Sequence, residues 1–150
     1  MKMKNKKYKL TDETIEVEGK ALYRIEALKD FCEIKKGDKG GFIESEDNLS
    51  HEGNAWVSDD ACVCGNACVC GSARVCGDAE ISTDADYIVF KNWWSSGRYF
   101  TWTRSNNMWS VGCFYGTGDE LVKKAYKDSE LSGRQYERIV KYVEEIRKDK

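Results

Sequence analysis

The chain has 150 residues, enough for one compact domain or two very small ones. Its formal net charge is −2, so no overall positive field favours DNA or RNA as a partner. No apolar run approaches the roughly 20 residues of a membrane span, and the first ten residues lack the apolar core of a signal peptide. Seven cysteines without a secretion signal favour reduced thiols, so we predict a cytoplasmic protein.

The N-terminal part predicts a small β cap over residues 1–40. Strand-like pieces run over 8–10, 15–17 and 21–28, and Glu18-Gly19-Lys20 is typical of a hairpin turn. The Gly-rich run that follows is interpreted as a turn, because it lacks the Lys-Ser/Thr ending of a phosphate-binding P-loop.

Residues 53–88 form six consecutive hexads, and this hexad segment dominates the chain. Each hexad opens with Gly, Asp or Thr, carries Ala at its third position, and carries Val, Ile or Tyr at its fifth. Residues two apart point the same way on an extended strand, so the Ala and Val side chains should face inward. The small or polar residues at each junction tolerate a bend. The pattern therefore predicts short stacked parallel strands.

This repeat resembles that of the left-handed parallel β-helix, in which three hexads complete one turn. The resemblance implies the handedness, and it implies that residues three hexads apart stack on each other. Such stacking puts Val57 beside Val75 inside, and Trp56 beside Arg74 outside as a surface cation–π pair.

An imperfect copy of the pattern, with Ile43 and Leu49 in the Ala register, extends the predicted coil back to residue 41. We therefore predict a mainly β fold with a short left-handed parallel β-helix over residues 41–88. A solenoid cannot bury its own ends, so the N-terminal β-hairpin and the C-terminal part are expected to cap it.

The C-terminal part, residues 89–150, predicts an antiparallel sheet followed by two helices, all in one compact unit with the rest. Strands are expected at 87–90, 99–103 and 108–115, because short links favour a meander. The first helix should begin at Thr117-Gly118-Asp119-Glu120, which has the spacing of a capping box, and the second at Ser132-Gly133-Arg134-Gln135. An apolar stripe from residue 136 to 146 marks the buried face of the second helix.

The repeat cysteines are interpreted as small apolar residues on a surface or interface. Stacking at a spacing of three hexads puts no cysteine beside another, so no metal site and no cofactor are predicted. The outward-facing set is Cys62, Cys64, Cys68, Cys70 and Cys76.

His51 is the one histidine, and a structural role is expected for it. Acyltransferases built on a β-helix use a histidine as a base, but their coils are longer than this one. We therefore predict no catalytic residues and no enzymatic activity, with an acyltransferase that uses His51 as an alternative.

The segment 93–115 is crowded with aromatic residues and contains two arginines. Aromatic rings with arginines can stack a nucleobase-like ring and bind a phosphate. The competing interpretation is the core of a small sheet, since aromatics dominate small cores. The predicted ligand-binding residues are Trp93, Trp94, Arg98, Trp102 and Arg104.

Nearly the whole chain is similar to a group of small hexapeptide-repeat proteins from prophages and phages of Gram-positive bacteria. The likeness is carried by the stretches LTDETIEVEGKALYRIEALKDF, KKGDKGGFIESEDNLS, the GNA-x-V repeats and CFYGTGDELVKKAY. Those proteins usually carry Arg or Tyr where this chain has its repeat cysteines, so the thiols are not tied to a shared function.

The resemblance implies a phage accessory protein in the cytosol of a bacterial host. Together with the aromatic segment, it leads us to expect a non-enzymatic binding protein that counters host defence. Its partner would be a nucleotide-type immune signal, which it sequesters, or a host defence protein, which it blocks. The alternative is a structural module that assembles into homo-oligomers. Because β-helices of this type often associate in threes, a trimer is the expected oligomer.

Overall fold

A computed structural model describes residues 6–112 and 114–149. The strands are β1 (Tyr8–Val17), β2 (Lys20–Ala27), β3 (Lys39–Ile43), β4 (Trp56–Val57), β5 (Cys62–Val63), β6 (Arg74–Val75), β7 (Glu80–Ile81), β8 (Tyr87–Lys91), β9 (Tyr99–Thr103), β10 (Met108–Val111) and β11 (Phe114–Gly116). The helices are α1 (Gly118–Asp128) and α2 (Glu130–Arg147), and two short 3₁₀ helices span Glu46–Asn48 and Asp84–Asp86.

The strands form three sheets, and the predicted left-handed parallel β-helix is wrong. One sheet has the order β1-β2-β3-β5-β7, the second β11-β10-β9-β8, and β4 pairs with β6. The fold is thus a mixed, mainly antiparallel β structure with two helices. The physical reason is that each hexad strand has only two residues. Such short strands extend the sheet begun by the β1–β2 hairpin and β3, to which β5 adds in parallel.

The local register within the hexad segment is confirmed. Val57 pairs with Val75, and Val63 pairs with Ile81, each partner lying three hexads further along the chain. The inward Ala and Val or Ile side chains of the first five hexads are all buried. In the sixth hexad, by contrast, Ala85 lies in a 3₁₀ helix and is exposed.

The register before the hexad segment differs from the predicted one. Ile43 pairs with Val63, and Leu49 bridges to Val69, so the offset there is longer than three hexads. The 3₁₀ helix Glu46–Asn48 lies between these two contacts and changes the local spacing of the chain. Ile43 therefore takes the Val position of the stack.

Trp56 does not form the predicted surface cation–π pair with Arg74. Its side chain is buried, because Phe31 packs edge-on against the indole at 5.3 Å and Tyr8 does so at 6.4 Å. The guanidinium of Arg74 instead bonds the carboxylate of Glu33 at 2.7 Å. The segment between β2 and β3, which the hexad pattern does not describe, provides both Phe31 and Glu33.

The sheet β8–β11 separates two hydrophobic cores. The first core contains the inward residues of the hexad segment together with Tyr8, Ile25 and Ile43. The second contains the aromatic residues of β9 and β10 and the inner faces of α1 and α2. Thr101 on β9 faces the first core, where its hydroxyl accepts a hydrogen bond from the backbone N–H of Arg74 at 2.9 Å.

The C-terminal helices form largely as their capping signals predict. Thr117 caps α1 in a capping box with Glu120, which confirms that prediction. Helix α2 begins earlier than predicted, because the Ser129 side chain accepts from the backbone N–H of Ser132. The predicted strand 108–115 is divided into β10 and β11 around Gly112, whose φ is 57°.

Candidate functional site

The structure brings three of the five predicted ligand-binding residues together and places the other two elsewhere. Trp93, Trp94 and Arg98 lie in the loop between β8 and β9, where the two indoles meet edge-on at 5.7 Å. Trp93 is 69% exposed, whereas Trp94 is half-buried. Trp102 and Arg104 lie at the far end of β9 and beyond it.

Trp102 and Arg104 have structural contacts of their own. Trp102 is fully buried, and its indole N–H donates to the side chain of Asn107 at 2.8 Å. The guanidinium of Arg104 lies 3.4 Å from the carbonyl oxygen of Ala85 and 4.0 Å from the carboxylate of Asp86. Arg98 does not share a strand face with them, because β9 begins only at Tyr99.

A cavity of about 450 Å³ lies beside the first three residues, between the β8–β9 loop and the two helices. We call it the helix cavity. Its walls include Asn92, Arg98, Phe114, Lys124, Ser132 and Tyr136. Its volume lies within the range of about 300–1,000 Å³ that is typical of small-molecule sites.

The β8–β9 loop is held in place at both ends and in its middle. The backbone N–H of Asn92 donates to the carbonyl of Arg98 at 2.8 Å, which closes the loop. The indole N–H of Trp94 donates to the hydroxyl of Ser132 at 3.0 Å, and its ring packs edge-on against Tyr136. The loop therefore presents Arg98 from a fixed backbone.

Asn92 is the most informative residue of the helix cavity. The residue is 6% exposed, and its Nδ2 donates to the hydroxyl of Tyr136 at 3.3 Å. Its Oδ1 is buried and has no hydrogen-bond partner among the described residues. Either orientation of the amide leaves one buried polar atom of this cavity-lining residue unpaired, at a cost of about 1–3 kcal/mol. A ligand that pairs with this atom would recover that cost.

Tyr136 supplies a second polar group at the same place. Burial raises the pKa of its phenol, so the hydroxyl keeps its proton at neutral pH. Because it accepts from Asn92, its own proton is free to be donated. The amide and the phenol together thus offer one acceptor and one donor side by side.

The cavity also carries positive charge. Among the described residues, no carboxylate lies within salt-bridge distance of Arg98. A side chain at position 112 would collide with its guanidinium, so Gly112 makes room for it. Lys124 and Asp128 both line the cavity and lie 3.9 Å apart, so their charges offset each other and Arg98 supplies the net positive charge.

His51 has the structural role expected for it. Its Nδ1 accepts from the backbone N–H of Lys7 at 3.1 Å, and its Nε2 lies 2.7 Å from a carboxylate oxygen of Glu46. The imidazole stacks on Tyr8 with ring centroids 4.1 Å apart. Both ring nitrogens are thus engaged, and action as a base would require one of these contacts to break.

The repeat cysteines are free thiols on or near the surface. Burial raises the pKa of Cys62, Cys64 and Cys68, so these thiols are protonated at neutral pH and are poor nucleophiles. Over residues 6–112 and 114–149, no group of three or more His, Cys, Asp or Glu side chains is arranged to hold a metal ion.

Comparison with known proteins gives no family: no protein-family model and no curated protein matches the chain. The resemblance to phage hexapeptide-repeat proteins therefore stays a prediction. Neither helix of the described chain is long and apolar enough to span a bilayer.

Proposed function

We propose that this protein is a non-enzymatic binding protein that takes up a nucleotide-type anion in the helix cavity. The observation that carries the proposal is the buried, unpaired Oδ1 of Asn92 beside the cationic side chain of Arg98. The likeness to phage proteins supports a setting in the cytosol of an infected bacterium. There, such binding would remove a nucleotide immune signal from solution.

The polar pair of the cavity is complementary to the edge of an amino-bearing nucleobase. A carboxamide commonly pairs with adenine by accepting from its amino group. Here, Oδ1 of Asn92 accepts from the amino group, and the hydroxyl of Tyr136 donates to a neighbouring ring nitrogen. Phe114 provides an apolar wall for the ring.

The charged part of the ligand is bound by the cations of the cavity. The guanidinium of Arg98 can donate two parallel hydrogen bonds to a phosphate, and Lys124 at the wall can exchange its contact with Asp128 for one with the phosphate. The exposed indole of Trp93 lies in the same loop and offers a surface on which a further ring can stack.

Thermal-shift and calorimetric titrations with AMP, ADP-ribose and cyclic dinucleotides test the proposal. We expect saturable binding of at least one of them, weakened about ten-fold or more by Asn92→Ser and by Arg98→Gln. Arg104→Gln is the matched control, because that arginine contacts the hexad segment and should leave affinity unchanged. Absence of binding across the panel would contradict the proposal.

Direct blocking of a host defence protein is the second candidate function, and the exposed Trp93 favours it. An indole that is 69% exposed is the kind of side chain that anchors protein interfaces. If this function holds, Trp93→Ala abolishes protection of a phage against host defence without changing nucleotide affinity. Tyr142→Ala, another exposed aromatic, serves as the control.

A further inference from the structure

A second cavity, of about 640 Å³, lies between the hexad segment and the sheet β8–β11. We call it the hexad cavity. It shares Arg98 and Ser96 with the helix cavity, and its other lining residues include Arg74, Glu33 and the polar side chains of Asn54, Ser72 and Ser110. Neutral donors and two guanidinium groups thus surround one carboxylate.

Arg74 is a fixed guanidinium within this cavity. Its side chain is only 21% exposed, and its Nε donates to the carbonyl oxygen of Asn54 at 3.2 Å. Its two terminal nitrogens face the carboxylate of Glu33, with contacts of 2.7 and 3.4 Å. This is the bidentate geometry with which arginine binds carboxylates and phosphates.

Glu33 is the exposed partner of this pair. Its side chain is 65% exposed, so it reaches Arg74 from the solvent side. It belongs to a tight turn in which Phe31 and Ile34 exchange both of their backbone hydrogen bonds. Cys32 in this turn has a φ of 51°, a conformation that residues other than glycine seldom adopt. The strained turn at Cys32 thus holds the carboxylate of Glu33 against the guanidinium of Arg74.

Positive charge exceeds negative charge around the hexad cavity. The buried ammonium group of Lys7 is near enough that Arg74 helps to lower its pKa, although desolvation is the larger cause. The positive charge of Arg98 also helps to lower the pKa of Glu33, after the hydrogen bond from Arg74. Within the described residues, Glu33 is the one carboxylate in a salt bridge with any of these three cations. Further negative charge is therefore favoured here.

We propose that the hexad cavity is a second anion site, which takes a phosphate-type dianion on Arg74 and Arg98 in place of the Glu33 carboxylate. Glu33 acts as an internal competitor that fills the site until such an anion displaces it. The serine hydroxyls supply neutral hydrogen bonds to the remaining oxygens of the anion. This inference goes beyond the proposed function, because it concerns the other cavity and, apart from Arg98, a different set of binding residues.

Titration with inorganic phosphate at constant ionic strength tests the inference, with calorimetry and thermal shift as readouts. We expect Glu33→Gln to bind phosphate at least about ten-fold more tightly than the wild type, since the competing charge is gone. The double variant Glu33→Gln/Arg74→Gln should lose that gain. Glu13→Gln is the control, because Glu13 pairs with Arg24 at 2.9 Å outside this cavity and should give no gain.

Two further outcomes decide the matter. Equal phosphate affinity in the wild type and Glu33→Gln, or a gain that persists without Arg74, would overturn the inference. Adding Asn92→Ser separates the two cavities: a gain that survives it supports the hexad cavity, whereas a gain that it removes places the phosphate in the helix cavity and overturns the inference. Failure of the nucleotide panel alone would contradict only the proposed function.

Discussion

The ammonium group of Lys7 lies 2.6 Å from the carbonyl oxygen of Ala55, inside the protein. It also approaches the carbonyl of Gly53 at 3.4 Å and the ring of Phe31 at 5.0 Å. These carbonyls belong to the first layer of the hexad segment. Left unpaired, such an edge would be a template for the addition of further strands. The buried ammonium group of Lys7 pairs with its carbonyl groups and so blocks that addition.

The opposite edge of the hexad segment is terminated by side-chain acceptors. Backbone N–H groups of Arg74 and Glu80 donate to the hydroxyls of Thr101 and Ser105 at 2.9 and 2.8 Å. Each edge is therefore paired with side chains of complementary type. Lys7 donates to the carbonyl groups of one edge, and the hydroxyls of Thr101 and Ser105 accept from the N–H groups of the other. This pairing, rather than a closed coil, limits the stack.

Lys7→Met tests the donor edge through its pH dependence. Burial lowers the pKa of Lys7 to about 8 in the folded state, from 10.5. Between these values the unfolded chain holds the proton that the folded protein has lost, so this group makes stability rise with pH. The stability advantage of the wild type over Lys7→Met should therefore grow from pH 7 to pH 10. Urea unfolding at several pH values measures it.

Taking the difference between the two proteins removes the titration of other groups, which both share. Lys9→Met, at an exposed position of β1, should show no growing difference. A constant difference between wild type and Lys7→Met over this range would show that the Lys7 proton is not lost early.

Thr101→Val tests the acceptor edge. The replacement keeps the shape of the buried side chain but removes the oxygen that accepts from the Arg74 N–H. An unsatisfied buried donor costs about 1–3 kcal/mol, and we expect a loss of that size in the free energy of unfolding. Thr101→Ser keeps the hydroxyl and should lose less. A loss in Thr101→Val no larger than that in Thr101→Ser would contradict this role of the hydroxyl.

The period of the hexads is enough to predict which residues pair within the repeat, but not to which sheet they belong. Val57 lies beside Val75 because strands three hexads apart pair in parallel. The extension of this stack by the β1–β2 hairpin depends on contacts between distant segments, such as that of Tyr23 with Ile43. Such contacts leave no periodic signal in the sequence.

The candidate site could be predicted only in part for the same reason. Trp94 and Arg98 stand out in the sequence because aromatic and cationic residues cluster there. Asn92 becomes informative only in the structure, where Tyr136, distant in the sequence, pairs with its Nδ2 and its Oδ1 has no partner among the described residues. Trp102 was predicted to bind a ligand, but its large apolar ring is part of the core instead.

Tyr87→Phe tests a second pH effect, of opposite sign. The hydroxyl of Tyr87 donates to the carbonyl oxygen of Cys68 at 2.8 Å, and burial, with a contribution from Cys70, raises the pKa of Tyr87 from 10.0 to about 12. Above pH 10 the unfolded chain loses this proton while the folded protein keeps it, so stability falls as pH rises. Tyr87→Phe should be less stable at pH 8 but should lose less stability between pH 9.5 and 11.

Thermal unfolding of Tyr87→Phe and the wild type at pH 9.5 and at pH 11 measures this difference. An unchanged alkaline slope would contradict it.

Gly133→Ala tests the crossing of α1 and α2. In an open helix, alanine is favoured over glycine by about 1 kcal/mol. Here a Cβ on Gly133 would overlap the ring of Tyr126, and relieving such overpacking costs about 1–3 kcal/mol. We therefore expect Gly133→Ala to destabilise the protein in urea unfolding. In a Tyr126→Ala background the same substitution should stabilise it, because the obstacle is gone and helix propensity decides. The same sign in both backgrounds would show that the tyrosine ring does not set the approach of the two helices.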